Sequence, residues 1–528
     1  MEGTSYQALN FDKLVSVTPW IRSRRDVLSY ISTCATLYRA GISILLGFHY
    51  RITSARLASF RECLISKQPS SFLGLKSLEF WLDGKPESSA SESSALIHLF
   101  TRAKRLRHVS IHGSITHQNL NPYQYLAESS TLESLYLADC DDAVDHRIVL
   151  LSRLRSPLTW LKIQFSGKSV DVVELLSNFR HTLTKATISQ AALFHATPGC
   201  INYTNLTSLE LEDVSQTRLS ILVPAFPSLR DLKIDIAYRS RRELHQLRAD
   251  NWQYQQDHLN PAWHLSSLTG NAASLYTLAL EERVPTVVVT SVSLTTLDHG
   301  DRLHAALSLL RPLVLSIDDD SEPIYSIDWL SSVMAGASRE LVSLDVHVVF
   351  GDPEPTCSHE EQLDILFNEL SLASVTKPWL FFLCIRLSDE PPEFTWSHNL
   401  AYDFINSLDI PSLATRAELA VPTVKFVKLI IQRRRQGTRT VSYWLRREGK
   451  LGVVPSTSHT LVNNAVDEMM SYGASDASSI NNAVGLPEQL QALYNCKTLD
   501  MIRMPCDTLD PPLESAFPTF ASLLATRH

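Results

Sequence analysis

His108, His112 and His117 stand close together, and imidazole is a common zinc ligand. No carboxylate or cysteine flanks them at ligand spacing, so they read as solvent-facing strand side chains. The run Asp318, Asp319, Asp320 has the oxygen chemistry to hold a hard cation, and reads otherwise as a solvated loop. No metal is assigned. Arg433, Arg434 and Arg435, with Arg439, Arg446 and Arg447, form the one concentrated positive patch. Guanidinium forks suit an acidic or phosphorylated partner segment; a solvated hairpin and a nuclear-import signal are the alternatives. The chain has no phosphate-binding G-x-x-x-x-G-K-[ST], no H-E-x-x-H, no G-x-S-x-G and no G-x-G-x-x-G. Its 17 glycines are few for a backbone that must cradle phosphates. No catalytic residue and no cofactor is implied, and the chain is expected not to be an enzyme.

The bulk properties narrow the classes further. Over 528 residues, 48 Lys+Arg against 56 Asp+Glu give a net charge of -8, which argues against nucleic-acid binding. With 44% hydrophobic and 20% charged residues, the chain has the composition of a folded protein. The apolar run Gly41 to Phe48 is far shorter than the roughly 20 residues of a spanning helix, so no membrane anchor is expected. The opening residues lack the pattern of a secretory signal. The 8 cysteines include no C-x-x-C pair and read as reduced thiols of a cytoplasmic or nuclear protein.

A repeat supplies the elements that must position these groups. Apolar residues at positions 1, 4 and 6 recur as Leu75-Leu78-Phe80, Leu106-Val109-Ile111, Leu132-Leu135-Leu137 and Leu158-Leu161-Ile163. They continue as Leu183-Ala186-Ile188, Leu206-Leu209-Leu211, Leu229-Leu232-Ile234 and Leu275-Leu278-Leu280. Looser copies follow at Leu310-Leu313-Leu315, Leu341-Leu344-Val346, Leu380-Leu383-Ile385 and Val424-Val427-Leu429. Most early intervals fall in the 20–29-residue period of leucine-rich repeats. Helical periodicity between copies, such as Leu96, Leu99, Phe100 and Ala103, makes strand and helix alternate. The expected fold is α/β: a leucine-rich-repeat-like solenoid, with a curved parallel sheet inside and helices outside. An ordinary doubly wound sheet is the competing architecture. Positions 3, 5 and 7 then face inward and solvent, which makes Trp81, Tyr136, Trp160 and Lys162, with the Arg433–Arg435 run, the candidate substrate contacts.

The segment ahead of the repeats reads as short amphipathic helices with too little core of their own. The domain reading is a helical module over 1–68 and repeats over 69–450, with an insertion near 237–270 and a C-terminal cap near 424–450. A poorly ordered tail over 451–528 follows, with short helices such as Leu461 to Met470. The module resembles the F-box placed ahead of leucine-rich repeats in many fungal proteins. The resemblance rests on Leu9-Asn10-Phe11-Asp12-Lys13-Leu14, on Arg24 to Cys34, and on Leu37-Tyr38-Arg39-Ala40-Gly41-Ile42 through Leu45-Leu46. It departs from the F-box pattern where the usual Leu-Pro opening is Leu9-Asn10. The resemblance implies a substrate receptor of an SCF-type ubiquitin ligase, binding a Skp-type adaptor and through it a cullin, while the repeats hold a protein substrate. It places Leu9, Phe11, Leu14, Val27, Leu28, Ile31, Leu37, Ile42 and Leu45 at the adaptor. A repeat scaffold that engages no adaptor, its helical module serving only as an end cap, is the alternative.

Overall fold

Each repeat delivers three apolar side chains to the same three places. In the computed structural model of the protein, the position-1 residues Leu75, Leu106, Leu132, Leu158, Leu183, Leu206 and Leu229 are all buried. The position-4 residues Leu78, Val109, Leu135, Leu161, Ala186, Leu209 and Leu232 pair in register from strand to strand, as do those at position 6. Because successive strand side chains point to opposite faces, positions 4 and 6 share one buried face and 3, 5 and 7 share the other.

The structure describes residues 21, 23–34, 37, 41–42, 44–67, 69–82, 86–113, 121–138, 144–165, 171–190, 201–214, 217–236, 240–258, 263–290, 297–318, 330–350, 358–377, 379–389, 400–433, 438–447 and 450–454. The chain forms two compact units, 1–239 with 260–263, and 240–259 with 264–528.

The first unit carries parallel strands β1 (His49–Thr53), β2 (Ser77–Trp81), β3 (His108–His112), β4 (Ser134–Ala138), β5 (Trp160–Gln164), β6 (Lys185–Ser189), β7 (Ser208–Val214) and β8 (Asp231–Ile236). Helices such as Ser54–Lys67, Pro86–Arg102 and Val144–Arg153 connect them. Polar side chains finish the backbone where helices start: Asn121 and Asp171 cap the helices that follow them. The turns into strands are tied by a threonine ladder: Thr159 Oγ1 donates to the Glu133 carbonyl, Thr184 to Thr159, and Thr207 to Thr184.

The second unit carries parallel strands β9 (Ser267–Gly270), β10 (Thr286–Thr290), β11 (Val314–Asp318), β12 (Ser343–Phe350), β13 (Phe382–Asp389) and β14 (Phe426–Arg433). β15 (Thr438–Arg447) and β16 (Lys450–Val453) follow antiparallel. Each unit is thus a leucine-rich-repeat-like α/β solenoid segment. No helix among the described residues is long and apolar enough to cross a membrane.

Several expectations need correction. The sheet starts inside the segment assigned to the helical module: β1 pairs with β2, Tyr50 and Ile52 filling positions 4 and 6. Leu275 and Leu278 are not on a strand but on the helix Ala272–Leu278, capped by Asn271, because a three-residue spacing also fits one helix face. The strands there keep the 1-4-6 spacing as Leu265-Leu268-Gly270 and Val284-Val287-Val289. In the Leu310 copy the frame lies two residues later, since Leu315 and Ile317 are the residues that pair with Leu344 and Val346. The stretch 237–270 is a repeat with a long helix, Arg241–Asp257, and a strand of its own. Its polarity has a structural use: buried Asn251 and Gln255 donate to the Thr277 and Ala279 carbonyls, fastening that helix to the next turn. At the C-terminal end, β14 is still parallel, and the antiparallel hairpin runs to Val453. The remainder of the tail, 455–528, lies outside the described residues.

Candidate recognition surface

The N-terminal module has a small core. Ser23 caps the helix Arg24–Ile31, whose Val27 and Ile31 pack with Leu45, flanked by Ile21, Leu28, Ile42 and Phe48. Arg24 lies over the Tyr50 ring at 4.4 Å, and Tyr50 donates 2.8 Å to the Leu45 carbonyl, joining module to β1. Burial pushes the Tyr50 hydroxyl up to about 12. Of the residues assigned to an adaptor, Val27, Ile31, Leu37 and Leu45 are buried within the chain. Leu28 and Ile42 are half-buried, and Leu9, Phe11 and Leu14 lie outside the described residues.

On the sheet face away from the helices, β1 to β5 carry a row of rings and cations. Register places them, since neighbouring strands lie only about 4.8 Å apart. Arg51 sits over Trp81 at 4.2 Å. Trp81 stacks on His112, its direct cross-strand partner, with centroids 4.0 Å apart and planes 12° apart. His112 meets Tyr136 edge-on at 4.7 Å, and Tyr136 meets Trp160 at 6.3 Å. Lys162 reaches over Tyr136 at 5.3 Å. Sequence reasoning therefore found four members of one row, Trp81, Tyr136, Trp160 and Lys162, which the structure brings together.

Glu79 sits under this row. Its carboxylate accepts from Trp81 Nε1 at 2.6 Å, lies 2.8 Å from His49 Nε2 and 3.5 Å from His112 Nε2. Burial pushes this carboxyl up, but hydrogen bonds from His49 and Trp81 and the charges of His49 and Arg51 outweigh it and hold it below its usual range. Arg51, Glu79 and His49 were not singled out from the sequence as contacts. The available signal was the alternation of His49-Tyr50-Arg51-Ile52-Thr53, a strand pattern hidden by a tyrosine at position 4. His112, read as solvent-facing, has only 11% of its side chain exposed because Trp81 covers it. His108 is exposed as expected, and His117 lies outside the described residues.

The other polar clusters are internally balanced. On β6 to β8, Thr187 and Ser189 donate to Glu210 and Glu212, and Lys233 pairs with both carboxylates. In the second unit, Asp318 lies on β11 rather than in a loop, 2.9 Å from His347 Nδ1, while His347 Nε2 lies 2.9 Å from Ser388 Oγ. That is the order of a Ser-His-Asp relay. However, Ser388 is fully buried, and Arg386 holds Asp318 and Asp345 at 3.2 and 3.0 Å. The arrangement balances charge inside a sheet face and presents no nucleophile to a substrate. Among the described residues, no group of three His, Cys, Asp or Glu side chains has metal-binding geometry. Asp319 and Asp320 lie outside them. Arg433, offered as a substrate contact, is committed to Asn406 at 2.7 Å and Thr440 at 3.0 Å, and Arg434 and Arg435 lie outside the described residues. Arg446 pairs with Glu418 at 3.3 Å.

No family model matches the chain, and no curated protein matches it. Among solved structures it is similar to a chain of the crystal structure of the Rad7 and Elc1 complex in yeast. That similarity has 14% identity and a TM-score of 0.31, and covers 73% of this chain and 94% of that one.

Proposed function

We propose that this protein is a non-enzymatic recognition subunit whose sheet face on β1 to β5 binds a protein partner. The observation that carries the reading is the unbroken row Arg51, Trp81, His112, Tyr136, Trp160 and Lys162. Rings held by one another offer much contact area at little entropic cost, and such aromatics dominate binding hot spots. The F-box resemblance extends the reading. The module docks a Skp-type adaptor and through it a cullin, making the chain the substrate receptor of an SCF-type ubiquitin ligase in cytoplasm or nucleus, with the row as substrate site.

One observation favours a second reading, a scaffold without an adaptor. Val27, Ile31, Leu37 and Leu45 are used up inside the module, and Arg24 and Leu45 join it to β1, as an end cap would be. Co-purification of the full chain with a Skp-type adaptor separates the two. Capture by the wild type, lost on Leu28→Asp with an unchanged melting curve, supports the receptor; a folded wild type that captures no adaptor leaves the scaffold. For the partner site, Trp81→Ala with Trp160→Ala weakens a partner found by proximity labelling by about 2 kcal/mol, roughly thirtyfold. An unaltered affinity places the site elsewhere. A fluorophosphonate probe leaves Ser388 unmodified in the folded chain; labelling there overturns the non-enzymatic assignment.

A further inference from the structure

The ring faces of the row on β1 to β5 are already taken. β2 lies between β1 and β3, so Arg51 and His112 approach Trp81 from opposite sides, the guanidinium 4.2 Å from the ring centre and the imidazole 4.0 Å from it and nearly parallel. Tyr136 has Lys162 over it at 5.3 Å and meets His112 edge-on at 4.7 Å. An aromatic ring is negative on its faces and positive round its edge. A ligand cation or a stacking base needs an open face. Trp81 offers none, and the part of it turned away from the sheet is an edge. The charges have the same sign. Arg51 and Glu79 are direct cross-strand neighbours, yet the guanidinium lies over Trp81, while the Glu79 carboxylate is taken up by Trp81 and His49. Lys185 stands on the same face of β6, in register with Trp160. Among the described residues none of Arg51, Lys162 and Lys185 is ion-paired. From β7 onward the sign reverses, with Glu210, Glu212 and Asp231 on this face against Lys233.

We infer that the ligand of this row is an acidic peptide segment whose carboxylates are spread along an extended chain lying across β1 to β6. This names the chemistry of the proposed partner site and rests on that reading. The spacing of the cations sets the form of the ligand. The strands of Arg51 and Lys162 are four strand spacings apart, about 19 Å, and those of Arg51 and Lys185 about 24 Å. One phosphate group cannot serve all three, whereas an extended chain rising about 3.3 Å per residue spans them in about seven residues. Between the cations, ring edges of the same sign of partial charge add apolar contact. At the far end, Glu210 and Glu212 repel further carboxylates and bound the acidic stretch.

The probe is a fluorescein-labelled heptaglutamate titrated against the full chain at low salt, beside heptaglutamine, a glycine-serine heptapeptide carrying one phosphoserine, and a seven-nucleotide oligothymidine. Heptaglutamate binds with a dissociation constant below about 1 mM and at least about tenfold tighter than each of the others. Its affinity falls at least about tenfold between roughly 0.05 and 0.5 M salt. A benzophenone-tagged copy crosslinks to β1 to β6, and Arg51→Gln with Lys162→Gln lowers the affinity at least about tenfold at an unchanged melting curve. Equal binding of heptaglutamine, tighter binding of the phosphoserine peptide or the oligothymidine, or crosslinks confined to other regions overturns the inference, and none of these needs a variant to fold. A folded double variant that binds heptaglutamate like the wild type also overturns it. The partner found by proximity labelling separates this inference from the site itself. A partner weakened by Trp81→Ala with Trp160→Ala but indifferent to Arg51→Gln with Lys162→Gln keeps the site and removes its acidic ligand; indifference to both pairs removes the site.

Discussion

In the first unit the sheet face away from the helices carries Trp81, His112, Tyr136 and Trp160 between Arg51 and Lys162, with Trp81 37% exposed. In the second unit the corresponding face of β13 to β15 carries Phe382, Cys384, Phe426, Ile430 and Tyr443, all buried. Behind both faces lies the same frame of apolar residues at positions 1, 4 and 6. The frame constrains those positions because any polar side chain there would be desolvated without a partner. Positions 3, 5 and 7 are free of that demand. One stretch of them became a row of presented rings and another became a second core, so chemical identity resides where the repeat does not dictate it.

The comparison predicts equal treatment of the frame. Leu135→Ala in the first unit and Leu344→Ala in the second each remove a fully buried side chain, and each costs about 2–5 kcal/mol in denaturant unfolding. A much smaller cost in one unit breaks the claim that a single frame underlies both.

The next effect belongs to the second unit alone. Arg386→Ala leaves Asp318 and Asp345 without the guanidinium that joins them, at a cost of about 1–3 kcal/mol, less than for a fully buried pair because these groups are partly exposed. Lys233→Ala in the first unit, where the ammonium is 43% exposed, costs about 0–1 kcal/mol. Melting both variants side by side checks the order, and a reversal removes the distinction drawn between the two polar clusters.

The smallest effect is a pH dependence. The hydrogen bond to His347, with the charge of Arg386, holds the Asp318 carboxyl below its usual range. An unfolded aspartate titrates near 3.9, so this stabilisation is complete above about pH 5 and is lost as pH falls through the lower folded value. Asp318→Asn therefore flattens the acid limb of the stability curve below about pH 5 and leaves its neutral region parallel to the wild type. An acid limb as steep as the wild type's shows that other carboxylates carry it.

Much of the frame was legible because leucine at positions 1, 4 and 6 has one physical use. Legibility failed where one spacing served two structures. Leu275 and Leu278 suit a helix face as well as a strand, and only the Asn271 cap and the pairing of Val287 and Val289 in the next strand decide between them. It failed again at β1, where Tyr50 stands in a leucine's place. At the recognition surface the rings and the inward placing of Glu79 at position 5 could be read from the sequence, but the partners of Glu79 could not, because His49 and His112 are 30 and 33 residues away in sequence.

The sequence by itself determined the alternation of strand and helix, the faces that must be buried and the placing of Trp81, Tyr136, Trp160 and Lys162 on the opposite face, since these follow from local spacing and side-chain polarity. Only the tertiary structure decided that His112 is a stacking partner, that Arg433 is occupied, and that the far face of β13 to β15 is a core. Those outcomes depend on which strands lie side by side and on what covers them, and burial is a property of neighbours that a linear spacing does not contain.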